Sequence, residues 1–190
     1  GGGGGQGGGT VESVLGPGRP VSDEELLNAT EGPGARPWMA TAGSEIGVRE
    51  VPGPGNNPRI VEYHATTTLA SPRDQTPWCS SYCNWSLREN GIEGTGSARA
   101  LSWTDYGESA GNTPSYGAIA SFPTAQGAHV GFVAGVTLEG GVVLLGGNQN
   151  NAVSLQSYPA ADMTFRLPTG YSVVPAPVIL GPIGAGGATR

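Results

Sequence analysis

Near residue 117 the apolar pattern of this chain changes period, and that change restricts the fold more than any other feature. Before it, apolar residues recur every three to four positions, as on one face of a helix. After it they come in short runs that end at Gly, Pro or Asn, as strands do. Pro37 opens the first helical pattern, with Trp38, Ala42 and Ile46 on one stripe; Gly47 and the Pro-Gly repeats of Val51 to Gly55 end it. Asn57-Pro58 caps a second helix carrying Ile60, Val61, His64 and Leu69. A third takes Thr76 as its N-cap and Pro77 as its first helical residue, and stops at Asn90-Gly91. A short fourth runs from Ala98 to Tyr106. The strands expected are 117–122, closed by Pro123, then 129–136, 142–145, 153–157 and 163–167, with a hairpin turn at Glu139-Gly140-Gly141. Helices followed by an antiparallel sheet of about five strands make an α+β fold.

Glycine and proline crowd the two ends. Residues 1–36 read as a flexible head and 169–190 as an extension that docks on the domain or on a partner, which leaves 37–168 as the compact domain. Within the head, Ser22-Asp23-Glu24-Glu25-Leu26-Leu27 fits one short capped helix. The net charge is −6 and all nine basic residues are arginine, so neither nucleic acid nor an anionic membrane is expected as a partner. No apolar run is long enough to span a bilayer and no export signal is visible. Two cysteines and two histidines fall short of a recognisable zinc set, so no metal and no cofactor are expected.

Cys79 carries the chemistry. In the first turn of its helix the thiol sits in a positive field, which favours thiolate, and the unpaired N–H groups of that turn can donate to an oxyanion. A free cysteine is equally suited to being a small buried hydrophobe. His129 separates the two readings. It begins a strand whose partner returns through the turn at 138–141, a register that sets Asn148 opposite it. The Asn amide would accept from one ring N–H and leave the other nitrogen for the thiol, giving nucleophile, base and orienter. Cys83 reads as a packed small residue and His64, among polar neighbours, as structural. Of the aromatic stripe Trp78, Tyr82 and Trp85, Trp85 reads as core. Trp78, beside the nucleophile, fits either core or a substrate groove.

The stretches Pro77-Trp78-Cys79-Ser80 through Asn84-Trp85, Gly94-Thr95-Gly96-Ser97-Ala98, His129-Val130-Gly131-Phe132 and Leu145-Gly146-Gly147-Asn148-Gln149 resemble one branch of the NlpC-type cell-wall peptidases. These are small papain-like enzymes of bacteria and phages, related to the CHAP amidases. Asn56-Asn57-Pro58-Arg59-Ile60 resembles the same branch, and the likeness spans about 37–167. It implies a papain-like fold, Cys79 as nucleophile, His129 as base, Asn148 as the polar third residue, and bacterial peptidoglycan as substrate. Trp78 and Gln149 are then the candidate substrate-binding residues. Two departures stand out: Gln75 occupies a position where an acidic residue is expected, which bears on access to the site, and Ala128 precedes His129 where Gly is usual. A carrier such as a phage virion or tail assembly, held through the Gly/Pro-rich ends, is expected to deliver the module to the wall; a lysin acting outside the inner membrane is the next choice. The rival reading is a structural module of such an assembly with weak or no catalysis.

Overall fold

The computed structural model describes residues 13–14, 35–173 and 179–180. Three helices precede the main sheet: α1 (Pro37–Ser44), α2 (Pro58–His64) and α3 (Cys79–Arg88). Proline opens α1 and α2, where its missing N–H is no loss. Asn57 caps α2 as expected, its side chain accepting from Arg59 N at 2.9 Å. Both helices are shorter than their patterns suggested: Ile46 lies past the end of α1, and Leu69 is 59% exposed beyond α2. The expected fourth helix is a single 3-10 turn at Ala100–Trp103.

The start of α3 corrects the sequence reading. Its cap is Trp78, with no side-chain cap bond, so Cys79 is the first helical residue. Thr76 instead pairs its hydroxyl with that of Ser71 at 2.8 Å, within the loop that leads to the helix. Every residue from Cys79 to Leu87 is buried. A helix with this many serines tolerates that because fixed partners meet its polar groups. Ser80 Oγ donates to Ser97 O (2.6 Å) and accepts from Trp103 Nε1 (2.8 Å). Asn84 donates to the carbonyls of Ser80 and Ser97 and accepts from Gly96 N. A Cβ on Gly94 would overlap the Asn84 carboxamide oxygen, so the 94–97 loop needs a glycine to close on the helix.

The sheet contains β2 (Glu108–Ser109), β3 (Ile119–Thr124), β4 (Gly127–Val136), β5 (Val142–Gly146), β6 (Ser154–Tyr158) and β7 (Thr164–Leu167). These six pair antiparallel in the order β6-β5-β4-β3-β7-β2. Pro123 does not close β3: it pairs with Ala128 next to a two-residue turn, exposed to solvent where its missing N–H is tolerated. The core lies between α1, α2 and α3 and the sheet, with Tyr63, Tyr82, Leu87, Ile119, Phe132 and Leu144 fully buried.

Both ends add a strand. β8 (Ile179–Leu180) runs parallel to β4 at Val136 and antiparallel to β1 (Ser13–Val14). Leu180 is 2% exposed, so part of the C-terminal extension docks on the domain. The helix expected at Ser22–Leu27 lies outside the described residues.

Arg36 fastens the start of the domain. It is fully buried and donates to the carbonyls of Tyr116, Ala35 and Ser172. Its stem occupies the space a Cβ on Gly117 would need, and Gly117 has φ +79°. Gly117→Ala is therefore expected to cost roughly 2 kcal/mol or more, from left-handed strain plus overpacking. Urea unfolding checks this: a loss below about 0.5 kcal/mol, the range of neutral surface changes, would mean that Arg36 simply moves aside.

Candidate active site

Three elements meet around Cys79. α3 supplies the cysteine itself, β4 supplies His129, and the turn after β5 supplies Gln149. Cys79 is 3% exposed and His129 fully buried. Backbone N–H groups of Val130, Ser80 and Cys79 act on the sulfur and favour its thiolate. Val130 follows His129 on β4, so the cysteine packs directly against the histidine strand.

His129 Nε2 lies 2.9 Å from Gln149 Oε1. The other end of the carboxamide settles who donates. Gln149 Nε2 donates to Leu144 O (3.2 Å) and Ser154 O (2.7 Å), two groups that can only accept. Oε1 is thus the end turned to the imidazole, and His129 Nε2 carries the hydrogen. In the neutral ring the lone pair is then on Nδ1, which makes no hydrogen bond in this structure.

The residue bonded to the imidazole is Gln149, one position past the expected Asn148. The last β4–β5 pair is Phe132↔Leu145, a register that, carried on, would set His129 opposite Asn148. But β5 ends at Gly146, and Asn148 takes a left-handed φ of +58°. Asn148 thus lies in the turn beyond the sheet, and the side chain of the next residue reaches His129. A Cβ on Gly146 would collide with the Gln149 carboxamide, so the glycine makes the reach possible. Gln149, expected to contact substrate, is 1% exposed, with its carboxamide engaged by His129 and two carbonyls.

Trp78 is also corrected. It lines no groove: it is fully buried, stacked on Tyr63 (centroids 5.8 Å apart), with Nε1 donating to Glu50 Oε2 at 3.1 Å. Gly147 packs against its ring, closer than any side chain would allow. Cys83 is buried and free. His64 is buried too, with Nδ1 2.9 Å from Ser81 Oγ, and ties α2 to α3. Gln75 is exposed and bonds Gly53 O. The carboxylate expected there sits one residue earlier: buried Asp74 accepts from the N–H groups of Val51 and Asn57, both at 2.8 Å, and pins the 51–57 loop to the approach to α3. Ala128 is accommodated in β4 opposite Pro123.

Two residues missed in the sequence complete the surroundings. Phe122 and Tyr158 pack against the His129 ring and against each other, with centroids 5.8 and 5.4 Å from it and 5.3 Å apart. Tyr158 was placed one residue beyond the expected strand 153–157, and nothing in its spacing points at the cysteine. A surface cleft of about 490 Å³, lined by Asn84, Arg88 and the Gly91–Gly96 loop, lies toward the far end of α3 and includes none of these groups.

Burial overturns the expected thiol acidity. It pushes Cys79 up to about 11, against the weaker pull of the Val130, Ser80 and Cys79 N–H groups. It pushes His129 down to about 4, partly opposed by the bond to Gln149. The helix field acts on Cys79, but loss of water outweighs it. The resting pair is thus neutral thiol and neutral imidazole.

Among curated proteins and among solved structures, nothing matches this chain. Residues 71–148, less than half of the chain, match the sequence model of the CHAP domain family, peptidoglycan hydrolase domains of the cysteine/amidase type related to the NlpC and papain-like enzymes. The α+β architecture, three helices on a six-strand antiparallel sheet, agrees with a papain-like fold.

An NMR titration of His129 tests the neutral pair. The unfolded chain takes up this proton near 6.5 and the folded one only near 4, so the unfolded state binds more protons in between. The ring should titrate near 4, and stability should fall as pH drops through that window. A midpoint at or above 6.5 would instead mean a thiolate–imidazolium pair.

Proposed function

We propose that this protein hydrolyses amide bonds in the peptide part of bacterial peptidoglycan, with Cys79 as nucleophile, His129 as general base and Gln149 as the residue that orients the imidazole. The observation that carries this reading is the His129–Gln149 bond, which leaves the Nδ1 lone pair available on the ring beside the cysteine strand–helix contact. The CHAP match over Cys79 and His129 supports the substrate class.

The steps follow from the acidities. With the thiol near 11 and the imidazole near 4, proton transfer before substrate arrives is strongly uphill. Transfer is therefore coupled to attack. Sγ adds to the carbonyl carbon while its proton passes to His129 Nδ1, and the carbonyl electron pair moves to oxygen. N–H groups of the first turn of α3 are suited to meet that oxyanion. Collapse expels the amine, which takes the proton from Nδ1 and leaves an acyl-thioester. Water then attacks this thioester, giving its proton to His129, and Cys79 departs as the thiol. Gln149 keeps the ring in the one tautomer that serves both halves. The Gly/Pro-rich composition of both ends supports delivery by a larger carrier, for which a phage particle or tail assembly is our choice.

Hydrolysis of purified cell wall, followed by amine release and by mass spectrometry of the muropeptides, tests the assignment. Cys79→Ala and His129→Ala should abolish turnover, and Cys83→Ala should keep most of it. Gln149→Ala should cost about 10- to 100-fold, the size seen when a histidine that binds a metal loses the partner that orients it. Asn148→Ala should cost less than Gln149→Ala. The reverse order would return the orienting role to Asn148, and a fully active Cys79→Ala would remove the thiol mechanism altogether.

A further inference from the structure

Tyr158 ends β6 with its side chain against the imidazole, 5.4 Å between ring centroids at a 40° tilt. Its other neighbour is Phe122 at 5.3 Å. The residue is 6% exposed, and its phenolic oxygen is buried without a hydrogen-bond partner. Folded proteins rarely leave such a group unpaired, and when they do the position often belongs to function. The ring itself is well explained as packing for His129. The hydroxyl is not: phenylalanine would fill the same space without an unpaired polar atom.

We propose that the Tyr158 hydroxyl is a catalytic hydrogen-bond donor, held unpaired at rest, that meets the negative charge formed on the substrate carbonyl oxygen when Cys79 attacks. This rests on Cys79 being the nucleophile. The hydroxyl donates a hydrogen bond and keeps its proton throughout; the electron pair on oxygen comes from the carbonyl π bond. Two further points support a donor in this place. Burial, and after it the charge of an ionised Cys79, both push Tyr158 well above the ordinary phenol range, so the O–H stays intact in working conditions and its oxygen senses charge at the sulfur. A donor that is desolvated and unpaired before reaction gains a partner only as charge develops, which favours the transition state over the bound substrate.

Tyr158→Phe keeps the ring and removes only the donor. On solubilised muropeptide, kcat should fall by about 100-fold with KM little changed, the effect of losing one oxyanion donor. The melting temperature should hold or rise. Alkylation of Cys79 by iodoacetamide forms no oxyanion, so its rate should match that of the parent. Cys79→Ala is measured alongside. If Cys79→Ala is dead and Tyr158→Phe turns over like the parent, the Tyr158 proposal alone is overturned. If alkylation falls in step with turnover, the hydroxyl acts on the sulfur and the oxyanion role is overturned. An active Cys79→Ala would instead remove the reading on which the proposal stands.

Discussion

The complete burial of α3 is the constraint on which the rest depends. A helix whose residues 79–87 are all shielded from water must find partners for each polar side chain it carries, and every such partner fixes a neighbouring segment. Ser80 and Asn84 hold the 94–97 loop; Ser81 holds His64 and with it α2. Tyr82 Oη reaches the carbonyl of Ala42 at 2.6 Å and holds α1. Cys79 is the first residue of that same helix, so the position of its sulfur is set by bonds made within the next turn and a half. Rigid placement of this kind is what a nucleophile requires, and it comes from polar groups that a binary apolar pattern would score as errors.

Burial also decides the electrostatics. Two opposing effects act on the thiol: the N-terminal field of α3 favours the thiolate, and exclusion of water favours the thiol. The helix term is worth up to about 2 kcal/mol in favourable, partly buried geometries. Desolvation of a fully buried group shifts acidity by up to 3–5 units, which is larger. The outcome is a thiol pushed up to about 11 and an imidazole pushed down to about 4, which in the mechanism proposed above keeps the proton on sulfur until a carbonyl arrives. The same dryness strengthens every later interaction with the oxyanion, because no water competes for the charge.

The fold was largely legible in the sequence, because periodicity reports burial and burial decides the elements. The change near residue 117, the Asn57 cap and the β4–β5 hairpin each have a local cause and each appears where that cause sits. What was hidden is tertiary. Thr76 has the chemistry of a cap, yet Ser71 five residues earlier competes for its hydroxyl and the helix starts at Cys79. Trp78 adjoins Cys79 in sequence, but adjacent residues on a helix end point apart, and Tyr63 and Gly147 close over it. Pairing sets Tyr158 beside Val142 and, through it, Val136, yet its ring packs on His129 seven residues away, a closure for which no spacing rule exists. The cysteine and histidine were visible because a residue type able to do chemistry is rare in this chain. The register that points to Asn148 holds as far as the β4–β5 ladder extends and ends where the strand stops.

That stopping point shows how four consecutive residues divide one task. Gly146 is the last strand residue and lacks the Cβ that would block the Gln149 carboxamide. Gly147 lets the chain pass the Trp78 ring at a distance no side chain would permit. Asn148 takes the left-handed conformation that reverses the chain, a role to which asparagine is better suited than most residues. Gln149, pinned by Leu144 O and Ser154 O, then reaches back across Gly146 to the imidazole. A straight continuation of β5 would have brought a short amide beside His129 with nothing to hold its far end. The turn substitutes a longer side chain whose donor end is fully occupied, so its acceptor end has a single orientation. The left-handed backbone at Asn148 is thus tied to the choice of tautomer at His129: the turn that takes one amide out of the strand is what delivers the other, already oriented, to the imidazole.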